Sequence, residues 1–99
     1  MLDLPRMVID NLRSFNKQRP PDRRLAEHLD AVIIGPDTTF DSLDAVEFLM
    51  GLEDEIAAHF GRRIDVCRYV DRLDREVVTA AEVAACIEQL LTPNLEAVD

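Results

Sequence analysis

The chain has 99 residues and a formal net charge of −9. A chain of this length has room for one domain, with a modest core and no deep cleft. Its negative charge argues against binding to the phosphate backbone of DNA or RNA and to anionic membranes, so we expect partners with basic patches.

The composition favours an all-α fold, because strands draw on aromatic and β-branched residues and this chain has few aromatics and no tryptophan. We expect a small four-helix bundle with a long first loop, a core over about residues 4–91 and a flexible tail over 92–99. The N-terminal residues lack the pattern of a signal peptide, and no apolar run is long enough to span a membrane. We therefore expect a cytoplasmic monomer that does not bind membranes.

The N-terminal third predicts one helix and a long connection. Apolar residues at helical spacing place the helix from about Leu4 to Asn16, with Asp3 as its cap, and the prolines at 20 and 21 end it. Residues 22–34 are ambiguous: we favour a short helix, although Val32 to Ile34 could equally be extended. Gly35 to Asp37 then predicts a turn.

The longest pattern runs from residue 40 to residue 61. Asp41 or Ser42 can cap a helix that Gly61 ends, and no lysine or arginine occurs between Ile34 and Gly61. Acidic residues cover the predicted outer side, at positions 44, 47, 53, 54 and 55. The predicted inner side carries Phe48, Leu49, Leu52, Ile56 and Phe60.

The C-terminal third predicts two more helices. One or two turns cover the apolar positions from Val66 to Leu73, and Thr79 with Glu82 forms a capping box for a last helix that ends near Leu91. Cys67 and Cys86 lack the spacing and the companion ligands of a zinc site, so we expect two buried, reduced thiols and no metal. We expect the histidines to lie at or near the surface.

The stretch that begins at residue 41 resembles the serine-containing motif of the acyl carrier protein family. The matching segments are Asp41-Ser42-Leu43-Asp44, Val46-Glu47-Phe48, Met50 and Leu52-Glu53-Asp54. A looser likeness continues to about Leu91, and the longer connections indicate a specialised member of the family. The tripeptide Asp-Ser-Leu alone is common, whereas the ordered set is much more specific.

The resemblance implies that Ser42 carries a covalent 4′-phosphopantetheine arm, which a separate Mg²⁺-dependent phosphopantetheinyl transferase adds from coenzyme A. The arm would hold an acyl or aminoacyl group as a thioester for the loading and transferring enzymes of fatty-acid, polyketide or secondary-metabolite biosynthesis. The docking residues that it implies are Asp41, Leu43, Asp44, Val46, Glu47, Met50, Glu53 and Asp54.

Several alternatives stay open from the sequence. A second alignment would move the gap into the motif and leave Ser42 a chance hydroxyl at a helix cap, and Val46 and Met50 could belong to the core. Arg19, Arg23 and Arg24 could contact a partner or lie on a solvated loop. A helical adaptor without a prosthetic group could use the same acidic helix. We do not expect an enzyme, because no acid and base are paired, and His59 lies roughly 25 Å from Ser42 along a continuous helix.

Overall fold

The computed structural model describes residues 3–61 and 63–91, and these form four α-helices and one small antiparallel sheet. The helices are α1 (Leu4–Lys17), α2 (Ser42–Phe60), α3 (Val66–Leu73) and α4 (Ala80–Leu91), and the strands are β1 (Val32–Ile34) and β2 (Val78–Thr79). The predicted helical architecture is confirmed. The stricter prediction of an all-α fold is not, because the two short strands pair.

The helices begin and end where the capping residues indicate. Asp3 accepts a hydrogen bond of 3.1 Å from the backbone N–H of Arg6 at the start of α1. Gly61 ends α2 in the left-handed conformation, at a φ of 68° that a side chain would disfavour. Before α4, the backbone N–H of Thr79 donates to Glu82 and the backbone N–H of Glu82 donates to the Thr79 hydroxyl. The predicted capping box is therefore confirmed.

Residues 22–34 contain no α-helix, so the short helix that we favoured there is wrong. Pro21–Arg23 forms a single 3-10 turn, and β1 then pairs antiparallel with β2, which places Val32 opposite Thr79 and Ile34 opposite Val78. The alternative of an extended segment is confirmed. The local pattern could not settle this, because the strand exists through a partner more than 40 residues downstream.

The core lies between the four helices and the sheet. α1 packs against α4 and α2, while α3 packs against both α2 and α4. Phe15, Phe40 and Phe48 form a cluster of edge-to-face rings, with centroids 5.3–6.1 Å apart. This cluster fixes the start of α2 against α1. Phe60, which we predicted on the inner side of α2, is instead 43% exposed.

One prediction falls on residues outside the described ranges, namely the flexible tail over residues 92–99. Among the described residues, none of the helices has both the length and the apolar composition needed to cross a membrane.

The different burial of two phenylalanines on α2 predicts different costs of truncation. Phe48→Ala should lower the free energy of unfolding by about 3–5 kcal/mol, because a ring that is 2% exposed leaves a cavity. Phe60→Ala, on the same helix, should change it by about 0.5 kcal/mol or less. Urea denaturation followed by circular dichroism measures both values, and equal losses would contradict the placement of the two rings.

Candidate functional site

Ser42 is the first residue of α2 and its side chain is exposed. Asp41, not Ser42, is the N-cap: its carboxylate accepts from the backbone N–H of Asp44 at 2.8 Å. In return the Asp44 carboxylate accepts from the backbone N–H of Asp41 at 3.1 Å. Because these two acids complete the cap between them, the Ser42 hydroxyl takes no part in capping the helix. The alternative that Ser42 itself caps α2 is therefore wrong.

Residues 38–40, which lead into the start of α2 and Ser42, are held in place by their own side chains. The Thr38 hydroxyl donates to the carbonyl of Val32 at 2.6 Å and accepts from the backbone N–H of Phe40 at 3.3 Å. The Phe40 ring is buried in the aromatic cluster. One hydroxyl and one ring thus anchor the residues that deliver Ser42 to the helix start.

Ser42 lies on the rim of a groove of about 660 Å³ between β1, the start of α2 and α3. The apolar part of its lining includes Ile33, Phe40, Val46, Leu49 and Val70. This volume falls in the range of about 300–1,000 Å³ that is usual for small-molecule sites. The groove beside Ser42 is open to solvent, and its volume would accommodate a small molecule.

Asp44 lies inside the protein, which corrects the prediction that it covers the exposed side of α2. Its carboxylate is only 12% exposed and accepts two hydrogen bonds, of 2.7 and 2.8 Å, from the guanidinium of Arg19. Arg19 is equally buried, and its guanidinium carbon lies 5.3 Å from the ring centre of Phe15 and 5.2 Å from that of Phe40. A buried carboxylate that is paired in this way is poorly placed to meet a partner.

Arg19, Arg23 and Arg24, for which the sequence left two alternatives open, lie on the loop after α1. Arg23 reaches the same carboxylate at 3.1 Å but remains 46% exposed, while Arg24 donates to the carbonyls of Asn16 and Arg19. The interpretation as a solvated loop is wrong for Arg19, whereas Arg23 and Arg24 are exposed on the loop after α1. A signal was present: with no cation between Ile34 and Gly61, any partner for an acid at the start of α2 had to come from elsewhere in the chain.

The exposed residues of α2 form one strip, which we call the α2 strip: Leu43, Val46, Glu47, Met50 and Asp54. Their spacing of three, four and seven residues places them on one side of the helix. Leu43 and Met50 are each more than half exposed, so the alternative that Val46 and Met50 belong to the core is wrong. The strip begins beside Ser42 and runs away from it along α2.

The predicted docking acids differ in their exposure and in whether their carboxylates have partners within the chain. Glu47 is exposed, and within the described residues no ion pair or hydrogen bond holds its carboxylate. Asp54 is exposed but accepts from Arg63 at 2.9 Å, and Glu53 is half-buried and accepts from the backbone N–H of Cys67 at 3.1 Å. Glu53 thus fixes the start of α3, and Glu47 is the acid most open to a partner.

The thiols and histidines do not add chemistry to the groove. Cys86 is buried as expected, but Cys67 is only partly buried. Burial, with the Glu53 carboxylate beside it, raises the pKa of the Cys67 thiol to about 11, so this thiol stays protonated and weakly nucleophilic. His59 lies at the far end of the continuous helix α2, 3.8 Å from Glu55. Residues 3–61 and 63–91 contain no group of three side chains that could hold a metal ion.

No family model, curated protein or solved structure matches this chain.

The buried ion pair predicts a pH-dependent stability. Hydrogen bonds from Arg19 lower the pKa of Asp44 to about 2, from an ordinary value of 3.8. The folded state therefore binds this proton less readily than the unfolded state. Ionised Asp44 should contribute about 1–2 kcal/mol to the free energy of unfolding above pH 4, and this contribution should be lost as the pH falls from 4 to 2. Arg19→Met should lower stability at pH 7 by about 2–3 kcal/mol and flatten the loss below pH 4.

Arg13→Met is the matched control, because it removes an exposed pair with Glu27 and should cost less than about 1 kcal/mol. Urea denaturation between pH 2 and pH 7 measures both variants. A loss below pH 4 as steep in Arg19→Met as in the wild type would contradict the assignment.

Proposed function

We propose that this protein is an acyl carrier, with Ser42 as the attachment point of a 4′-phosphopantetheine arm. The observation that carries the proposal is the exposed Ser42 hydroxyl, which the cap leaves free and which lies at a groove lined by both apolar and charged side chains. The motif around Ser42, which resembles that of the acyl carrier family, adds to this observation.

The surroundings of Ser42 suit a substrate of another enzyme. A serine needs an adjacent base to act as a nucleophile, and within the described residues no side chain accepts a hydrogen bond from its hydroxyl. A transferase would therefore supply the base and take the hydroxyl proton. The Ser42 oxygen would form a bond to the β-phosphorus of coenzyme A as the bond to the leaving adenosine bisphosphate breaks.

The chain around Ser42 fits the attached group. The first amides of α2 that the cap leaves unused would face an anion attached to Ser42, and the apolar part of the groove lining would suit a cargo chain. When attached, the arm supplies the thiol that holds an acyl or aminoacyl group as a thioester. The α2 strip would then dock the enzymes that load and use this group.

Modification of Ser42 is the first test. Incubation with coenzyme A, Mg²⁺ and a promiscuous phosphopantetheinyl transferase should add the mass of one phosphopantetheinyl group to the intact protein. Ser42→Ala should abolish the gain completely. Ser14→Ala, which changes the one other serine of the chain, should leave it unchanged.

An absence of any mass gain, under conditions that modify a control carrier, would contradict the proposal. The α2 strip would then be the surface of an adaptor that binds a basic protein without a prosthetic group.

Docking through the α2 strip gives a second prediction. Glu47→Lys should reduce the rate of modification at limiting carrier concentration by about 10-fold at low salt, because rim charges act mainly on association rate. Asp10→Lys, an equal change of charge on α1, should reduce it much less. The difference between the two variants should shrink in high salt. Equal effects of both variants would show that net charge matters and the strip does not.

A further inference from the structure

We infer that Arg23 pairs with the phosphodiester of the arm on Ser42 and so positions that arm at the start of α2. This inference rests on the function proposed above, since the phosphodiester exists only if Ser42 is modified. Arg23 would be a positioning residue, because it holds the arm and takes no part in the chemistry of the cargo.

Arg23 is already placed at the turn that presents Ser42. Its Nη2 lies 3.8 Å from the carboxylate of Asp41, the residue directly before Ser42 in the chain. Consecutive Cα atoms are about 3.8 Å apart, and an arginine side chain is long enough to shift by this distance. A group on the Ser42 hydroxyl would thus lie near the guanidinium of Arg23, and we expect a change of side-chain rotamer to bring the two together.

The backbone of Arg23 is fixed while its charged end is exposed. Its carbonyl accepts from Arg19 Nε at 3.1 Å and from the Thr39 hydroxyl at 3.3 Å, which holds residue 23 beside the approach to α2. The side chain, by contrast, is 46% exposed. Such a residue can change its partner at little structural cost.

The carboxylate of Asp44 does not depend on Arg23 for its pairing. Arg19 already donates to both oxygens of Asp44, through its two terminal nitrogens, and it is buried with that acid. Arg23 adds one longer contact of 3.1 Å from the solvent side. If Arg23 turned to another anion, the Asp44 carboxylate would keep its bidentate partner.

A phosphodiester on Ser42 would be a new anion near Arg23. It would add a negative charge next to Asp41, whose carboxylate is 62% exposed and has Arg23 as its neighbouring cation. Two like charges on adjacent residues favour the approach of a shared guanidinium. The phosphodiester is thus the anion that the position and exposure of Arg23 fit.

The test compares apo and holo protein in variants that differ in one cation. For each variant, the measured quantity is the Tm of the holo form minus the Tm of the apo form. This difference should be about 1–5 °C more positive in the wild type than in Arg23→Gln at low ionic strength. Arg23→Lys should retain part of this difference. Lys17→Gln removes an equal charge from the end of α1 and should behave as the wild type does.

A spectroscopic readout separates pairing from a general effect on stability. In ¹H–¹⁵N spectra, the Nε–H signal of Arg23 should shift on conversion to the holo form, while that of the buried Arg19 should stay within a line width. If Arg23→Gln has the same difference between apo and holo Tm as the wild type, or if the Arg23 signal does not move, the inference is overturned. Arg68→Gln removes a different cation that lines the groove. If it reduces the difference between holo and apo Tm as much as Arg23→Gln does, the inference is overturned as well.

The same samples distinguish this failure from a failure of the proposed function. If the wild-type protein gains no mass with coenzyme A and the transferase, both the proposed function and the role of Arg23 are overturned. If the mass is gained and the apo and holo differences are equal in all variants, only the role of Arg23 is overturned.

Discussion

The carboxylate of Asp44 lies inside the protein, and a buried charge is tolerated only when it is paired and hydrogen-bonded. Arg19 meets both conditions with two short hydrogen bonds, and its guanidinium lies close to the rings of Phe15 and Phe40. The same carboxylate accepts from the backbone of Asp41 and so completes the cap of α2. One ion pair thus ties the loop after α1, the aromatic cluster and the start of α2 together, and the position of Ser42 depends on all three.

This pairing changes which acids the outside of α2 presents. Asp44 is paired within the chain and Glu53 accepts from the backbone N–H of Cys67 in α3, so the exposed negative charge of α2 is concentrated at Glu47 and further along the α2 strip. The apolar members of the strip alternate with these acids and stay exposed. The α2 strip thus combines exposed apolar and acidic side chains on one side of α2, beginning beside Ser42. This is the surface that the proposed docking would use.

Much of the helical framework could be predicted from local signals, because a cap, a breaker and a 3.6-residue period each act within a few residues. Asp3, Gly61 and Thr79 with Glu82 are examples. What could not be predicted depends on distant partners. β1 needs β2, Asp44 needs an arginine 25 residues earlier, and the exposure of Phe60 depends on where the other helices stop. The groove escaped prediction for the same reason, since its walls come from three separate elements.

The charge around Ser42 differs between its two sides. On one side lies the α2 strip with the exposed Glu47, and on the other lies the loop that presents Arg23. The guanidinium of Arg23 lies near the carboxylates of both Asp41 and Asp44, so little of its positive charge is left uncompensated beside Ser42. Under the docking proposed above, the attraction of a basic surface would therefore come mainly from the side of Ser42 that carries Glu47.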